Sequence, residues 1–136
     1  MPPDKYIPGG RSDWLARAKG SLSLAQQPKP EGAYWEDQCF LAQQAAEKAI
    51  KSVCQHQGLH FRHVHDLEEL EKGLEDSGVP IPPVVKEALI LTRYAVETRY
   101  LGPFEPVTEA EYIEAVRLGE AVITWAEGIV GKQSCR

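Results

Sequence analysis

An all-α fold, an antiparallel up-and-down four-helix bundle with one additional short helix, is what this sequence predicts, and three observations carry it. Apolar residues recur at helical spacing along five segments of the chain. Clusters of Pro and Gly fall between those segments. No stretch alternates apolar and polar residues in the way a half-buried strand requires.

The opening MPPDKYIPGGRS (residues 1–12) holds three Pro and two Gly and reads as a loose leader. Asp13 is placed to cap a first helix that runs to about Gln26, with Leu15, Ala18, Leu22 and Ala25 on one face. The QPKPEG run (27–32) then breaks the chain direction. The second helix runs from about Tyr34 to Gln57 and stops at Gly58. Its Gln38–Gln57 stretch lacks Pro and Gly and is rich in good helix formers. Phe40, Leu41, Ala45, Ala49, Ile50 and Val53 gather on one broad stripe. The Ala residues at 42, 45, 46 and 49 allow a second helix to approach closely. Gln43, Gln44, Glu47, Lys48 and Lys51 are expected on and around the edges of that stripe, as a polar margin, and Trp35 as a packing residue.

Leu59–His65 is a short connector. Asp66, with Glu69 three positions on, forms the capping box of a short third helix carrying Leu67, Leu70 and Leu74 and ending before Gly78. VPIPP (79–83) forces another turn, and Pro82 or Pro83 fits the first turn of a fourth helix. That helix carries Val85, Ala88, Leu89, Thr92 and Val96 and extends to about Arg99 or Tyr100. Thr108 and Glu111 make a second capping box, opening a fifth helix to about Val130 with Tyr112, Ala115, Val116, Leu118, Val122, Trp125 and Ile129 as its apolar set. The bundle domain is thus expected over residues 13–130, followed by a frayed tail at 131–136.

A chain of 136 residues, 43% hydrophobic, has the length of one domain and enough apolar side chains to fill a core. It has no run apolar enough to span a bilayer and no basic-then-apolar leader, so the expected location is cytoplasmic, with no membrane association. Three Cys (39, 54 and 135) without a CxxC pair argue against a disulfide framework or zinc ribbon. A net charge of −5 argues against non-specific coating of nucleic acid but leaves room for a local basic pocket.

Two constellations bear on chemistry. His56, His60, His63 and His65 lie close together, but Gly58 interrupts the helix between the first two, and neither a His-Glu-x-x-His arrangement nor a Cys ligand accompanies them. No metal is expected there. His65, just before the cap of the third helix, is the most interesting, either anchoring the loop or presenting its imidazole near the positive end of a helix dipole. Arg93, Tyr94, Arg99 and Tyr100 form the second group, with planar donors for a phosphate and aromatic faces for a base. Adding Lys48 and Lys51 gives a basic groove between the second and fourth helices. No glycine-rich phosphate loop, nucleophile elbow or paired Asp motif is present, so the chain has no self-sufficient catalytic signature.

The segments CFLAQQAAEKAIKSV, HDLEEL, LTRYAVETRYLG and PVTEAEYIEAV, in that order, resemble the HEPN domain family (higher eukaryote and prokaryote nucleotide-binding) over roughly Asp13 to Val130. The resemblance implies an α-helical bundle, a homodimer, and pairing with a separately encoded minimal nucleotidyltransferase in toxin–antitoxin-like modules. Ribonuclease branches of that family carry Arg, four to six intervening residues, then His. Here Arg99 is followed at those positions by Phe104, Glu105 and Pro106, Arg93 by Thr98, Arg99 and Tyr100, and Arg62 by Leu67, Glu68 and Glu69; Arg11, Arg17 and Arg117 fail likewise. The expectation is therefore a nucleotide-binding or partner-binding protein with no catalytic residue and no cofactor. Lys48, Arg93, Arg99 and Tyr100 would meet the nucleotide phosphate or the partner, with His65 close by. The alternatives are a metal-independent ribonuclease acting on RNA through Arg99 and His65, or a non-catalytic dimeric scaffold.

Overall fold

In a computed structural model of the chain, residues 10–61, 66–96 and 106–134 are described, and every regular element among them is helical. Helix α1 spans Arg11–Ala25 and α2 Trp35–His56. The short α3 spans Leu67–Asp76. The fourth column is α4 (Pro83–Glu87), a 3-10 helix (Ala88–Thr92) and α5 (Arg93–Val96), and α6 closes the chain at Glu109–Ser134. Helix α2 is central: it packs on α1, α6, α3, the 3-10 helix and α5. No helix among the described residues is long and apolar enough to cross a membrane.

The helix boundaries follow local chemistry. Helix α1 begins earlier than its capping residue suggested: Gly10 is the cap, and Asp13 lies inside the first turn, accepting from Arg17 Nε at 3.1 Å. An Asp–Arg pair one turn apart is satisfied within the helix and has no need of the cap position. Helix α2 ends where Gly58 adopts φ 72°, and α3 ends before Gly78 at φ 96°, conformations that favour glycine. Asp66 caps α3 by accepting from Glu68 N at 3.0 Å. At the start of α6, Thr108 N donates to Glu111 Oε1 (2.9 Å) and Glu111 N to Thr108 Oγ1 (3.1 Å), a reciprocal capping box. Helix α6 continues to Ser134, a turn beyond Val130.

The core lies where α1, α2 and α6 meet. Ala42, Ala45, Ala46 and Ala49 are fully buried, and a Cβ added at Gly119 of α6 would stand 3.3 Å from the Ala42 carbonyl oxygen. The alanines do permit the close helix approach that the sequence suggested. Phe40 and Leu41, expected on the same stripe, are only half-buried. Three polar bonds fix the ends: Gln38 Nε2 donates to Ala25 O (2.9 Å) and Gln27 O (3.0 Å), and Tyr112 Oη donates to Ala25 O (2.6 Å). They satisfy carbonyls that the end of α1 leaves without intrahelical donors. Trp35 packs on Tyr112 at 4.8 Å between centroids.

The fourth column departs from a single helix. Its buried residues are Val85, Ala88, Leu91 and Tyr94, each three positions from the last. That is the repeat of a 3-10 helix, in which side chains at i and i+3 eclipse. The tighter winding turns Leu91 and Tyr94 inward, and leaves Leu89 and Thr92 only half-buried.

Candidate functional site

Three of the five polar residues expected at the margin of α2, namely Gln43, Glu47 and Lys51, are buried, while Gln44 and Lys48 are half-buried. Gln43 is 0% exposed, Glu47 3% and Lys51 4%, so they form a buried line. Four-residue spacing stacks them on one side of the helix, where each satisfies the next. Gln43 Nε2 donates to Glu47 Oε1 at 3.1 Å, and Lys51 Nζ donates to Glu47 Oε2 at 2.8 Å. Gln44 Nε2 extends the chain to Gln43 Oε1 at 2.9 Å. The Lys51 ammonium also lies 5.2 Å from the ring centroid of Trp14 and 5.5 Å from that of Phe61. The two rings meet edge to face at 5.8 Å. A carboxylate on one side and aromatic rings on the others offset the cost of burying this side chain. Lys51 thereby ties α1 and the connector after α2 to the central helix.

Lys48 points elsewhere. Its Nζ donates to Ser21 Oγ of α1 at 2.9 Å. Burial, the largest cause, holds this lysine below its ordinary range; Glu47 opposes the shift, and Arg17 and Lys51 add to it.

Arg93 stands at a cleft between the 3-10 helix, α5 and α6, its guanidinium 5.7 Å from the Tyr94 ring centroid. The cleft has a volume of about 240 Å³ and a floor of Leu91, Ala115 and Leu118. Tyr94 in its wall is buried, and its hydroxyl lies in hydrogen-bonding reach of the Cys39 thiol. Burial, reinforced by neighbouring acidic groups, pushes both up to about 12, so both are neutral at physiological pH. Glu111 and Glu114 stand on the rim, but Glu111 is engaged in its capping box and Glu114 in a 2.6 Å pair with Arg117. A planar donor, an aromatic ring and an apolar floor offer a phosphate contact and a surface for one flat ring. The volume lies below that of sites for whole drug-sized ligands.

The structure does not bring Lys48 and Arg93 together. Arg93 acts on Cys39, which precedes Lys48 by nine residues on α2, about half a turn out of phase. Lys48 belongs to the α1–α2 junction and Arg93 to the α5–α6 cleft. His65, Arg99 and Tyr100 lie outside the described residues. Among the described residues no three His, Cys, Asp or Glu side chains converge as a metal site.

The HEPN domain family matches residues 12–129 of this chain. The chain belongs to the HEPN domain family. Two solved structures agree with that membership. An archaeal HEPN homologue is 29% identical, with a TM-score of 0.69, over 89% of this chain and 98% of its own. The protein TT1696 of Thermus thermophilus is 32% identical, with a TM-score of 0.75, over 87% of this chain and 96% of its own. No curated protein matches the chain.

Sequence reasoning placed Lys51 in the right helix but on the wrong level, and missed the cleft. The repeat of Gln43, Glu47 and Lys51 at four-residue intervals was the signal for a buried line. The cleft had no such signal, because it depends on the 3-10 winding that turns Leu91 and Tyr94 inward.

Proposed function

We propose that this HEPN protein binds a phosphate-bearing nucleotide, or a partner protein, and works with a separately encoded minimal nucleotidyltransferase in a toxin–antitoxin-like pair. The observation that carries the reading is in the sequence: the family match runs over residues 12–129, yet no Arg is followed by His after four to six residues. Without that motif, the family's ribonuclease chemistry has no acid–base group in its usual place. Binding is the role left to the basic and aromatic side chains.

In this reading Arg93 supplies the charge-assisted contact to phosphate and Tyr94 the ring beside it, with Arg99, Tyr100 and His65 as further proposed contacts. Lys48, committed to Ser21, contributes through the α1–α2 junction and not through the same pocket. A homodimer is the expected assembly.

Calorimetry with nucleoside mono-, di- and triphosphates, together with pull-down by a neighbouring-gene nucleotidyltransferase, tests the proposal. Arg93→Ala is expected to weaken nucleotide affinity roughly tenfold or more, as loss of a hydrogen bond to a charged group does. Because Arg93 is exposed, the unfolding midpoint should stay unchanged. Binding neither to any nucleotide nor to the transferase overturns the proposal.

A further inference from the structure

Helix α3 is short, and it packs on α2 and the 3-10 helix through one face: Leu67, Leu70, Glu71 and Leu74. Three of these are leucines at helical spacing, as an amphipathic docking stripe requires. The fourth is a glutamate, 3% exposed, whose Oε2 finds no hydrogen-bond donor. A buried carboxylate with an oxygen that no donor meets is disfavoured, whereas a neutral carboxylic acid in the same place costs less.

The neighbours do little to rescue the charge. Glu75 and Glu68, a turn away on either side, both disfavour it. Lys86 of α4 favours it, but its ammonium is held by Glu75 at 2.7 Å. The 3-10 helix, Ala88–Thr92, has no ionisable side chain. On the C-terminal half of α2, Lys51 is committed to Glu47, the Cys54 thiol is pushed up to about 11 by burial and stays neutral, and His56 lies under the influence of Arg11 of α1. Burial is the largest cause, and it pushes Glu71 up to about 7.

Docking of α3 has a further consequence. Leu67 N, at the first turn of α3, donates to Thr92 Oγ1 at 3.2 Å. Thr92 ends the 3-10 helix and directly precedes Arg93 and Tyr94 of the cleft. The seating of α3 is therefore joined by a hydrogen bond to the segment that presents those two side chains.

We infer that α3 is a proton-controlled latch, seated firmly when the Glu71 carboxyl is neutral and loosened, together with the Leu67–Thr92 tether, when it ionises. The inference does not depend on what the cleft binds. It concerns a conformational equilibrium of the chain itself.

Hydrogen exchange of the full-length protein, followed from pH 5 to pH 8 and corrected for the intrinsic rate, reads this directly. Protection of the α3 amides is expected to fall by up to roughly a hundredfold as pH rises, about one factor of ten for each pH unit in which the seated carboxyl keeps a proton that the unseated one has lost. Amides in the middle of α6 should stay better protected than those of α3 at every pH. In Glu71→Gln, a neutral isostere, the α3 profile should be flat and close to the acid limit. Glu71→Leu should also be flat, which keeps the test open if the glutamine variant folds poorly. A flat profile in the natural protein overturns the latch, as does a pH-dependent profile that persists in both variants.

Discussion

Glu47 on α2 and Glu71 on α3 are equally buried, each 3% exposed. Glu47 accepts from Lys51 on one oxygen and from Gln43 on the other. Glu71 has Glu68 and Glu75 on either side and an oxygen without a donor. The two carboxyls differ in what their own helices place one turn away. Helix α2 supplies a donor at both four-residue neighbours, whereas α3 places Glu68 three residues before Glu71 and Glu75 four residues after it. Burial alone therefore says little about a charged group. The neighbours decide whether it becomes a fixed strut or a point where protons set the stability.

The largest test of this contrast is Lys51→Met. Met matches the length of Lys but leaves the Glu47 charge in the core without its ammonium. About 3 kcal/mol of stability should be lost at pH 7, the low end for breaking a buried ion pair because Gln43 still donates to Glu47. The double variant Lys51→Met with Glu47→Leu should recover part of that loss. Urea unfolding measures both, and a single-variant cost under about 1 kcal/mol would make Glu47 no better anchored than Glu71.

Glu71→Gln tests the other side, and its sign is opposite. The folded-state pKa of Glu71, about 7, lies above the ordinary value of 4.5, so the native state binds more protons than the unfolded state between those values. The stability this group contributes is full below pH 4.5 and is lost as pH rises through about 7. Removing the charge should therefore stabilise the protein at pH 8 by roughly 2–3 kcal/mol and change little at pH 5. Unfolding curves at the two pH values check this; equal effects at both would remove the proton linkage.

Much of this architecture was legible in the sequence, because the signals are local. Gly58, Gly78 and the Thr108–Glu111 box each mark a boundary through their own backbone needs, and the alanines of α2 announce close packing. The missed features are those decided by several helices at once. The side of α2 that bears Gln43, Glu47 and Lys51 looks like a solvated edge until Trp14 and Phe61 are brought over it. The 3-10 winding of Ala88–Thr92 is hidden because Leu89, Thr92 and Val96 fit an α-helical face as well as Leu91 and Tyr94 fit a tighter one. Part of the candidate site, His65, Arg99 and Tyr100, lies outside the described residues, and the described part divides into Lys48 at one helix junction and Arg93 at another.

The smallest expected effect isolates the joint between the two regions. Thr92→Val keeps the shape of the side chain and removes the hydroxyl that accepts from Leu67 N. The amide at the first turn of α3 then has no acceptor there, and a loss of about 1 kcal/mol is expected, typical of one hydrogen bond. Glu71 keeps its burial in this variant, so its proton linkage should persist, whereas the response of the Arg93–Val96 amides to pH should weaken. A latch coupled to the cleft through Thr92 requires that separation: α3 still responds to protons while the segment beyond Thr92 no longer follows. If both segments keep following pH together, the coupling runs through packing of α3 on the 3-10 helix, and the tether only adds stability. Thr92→Ser, which restores an acceptor without the methyl group, distinguishes the missing hydrogen bond from any change in packing.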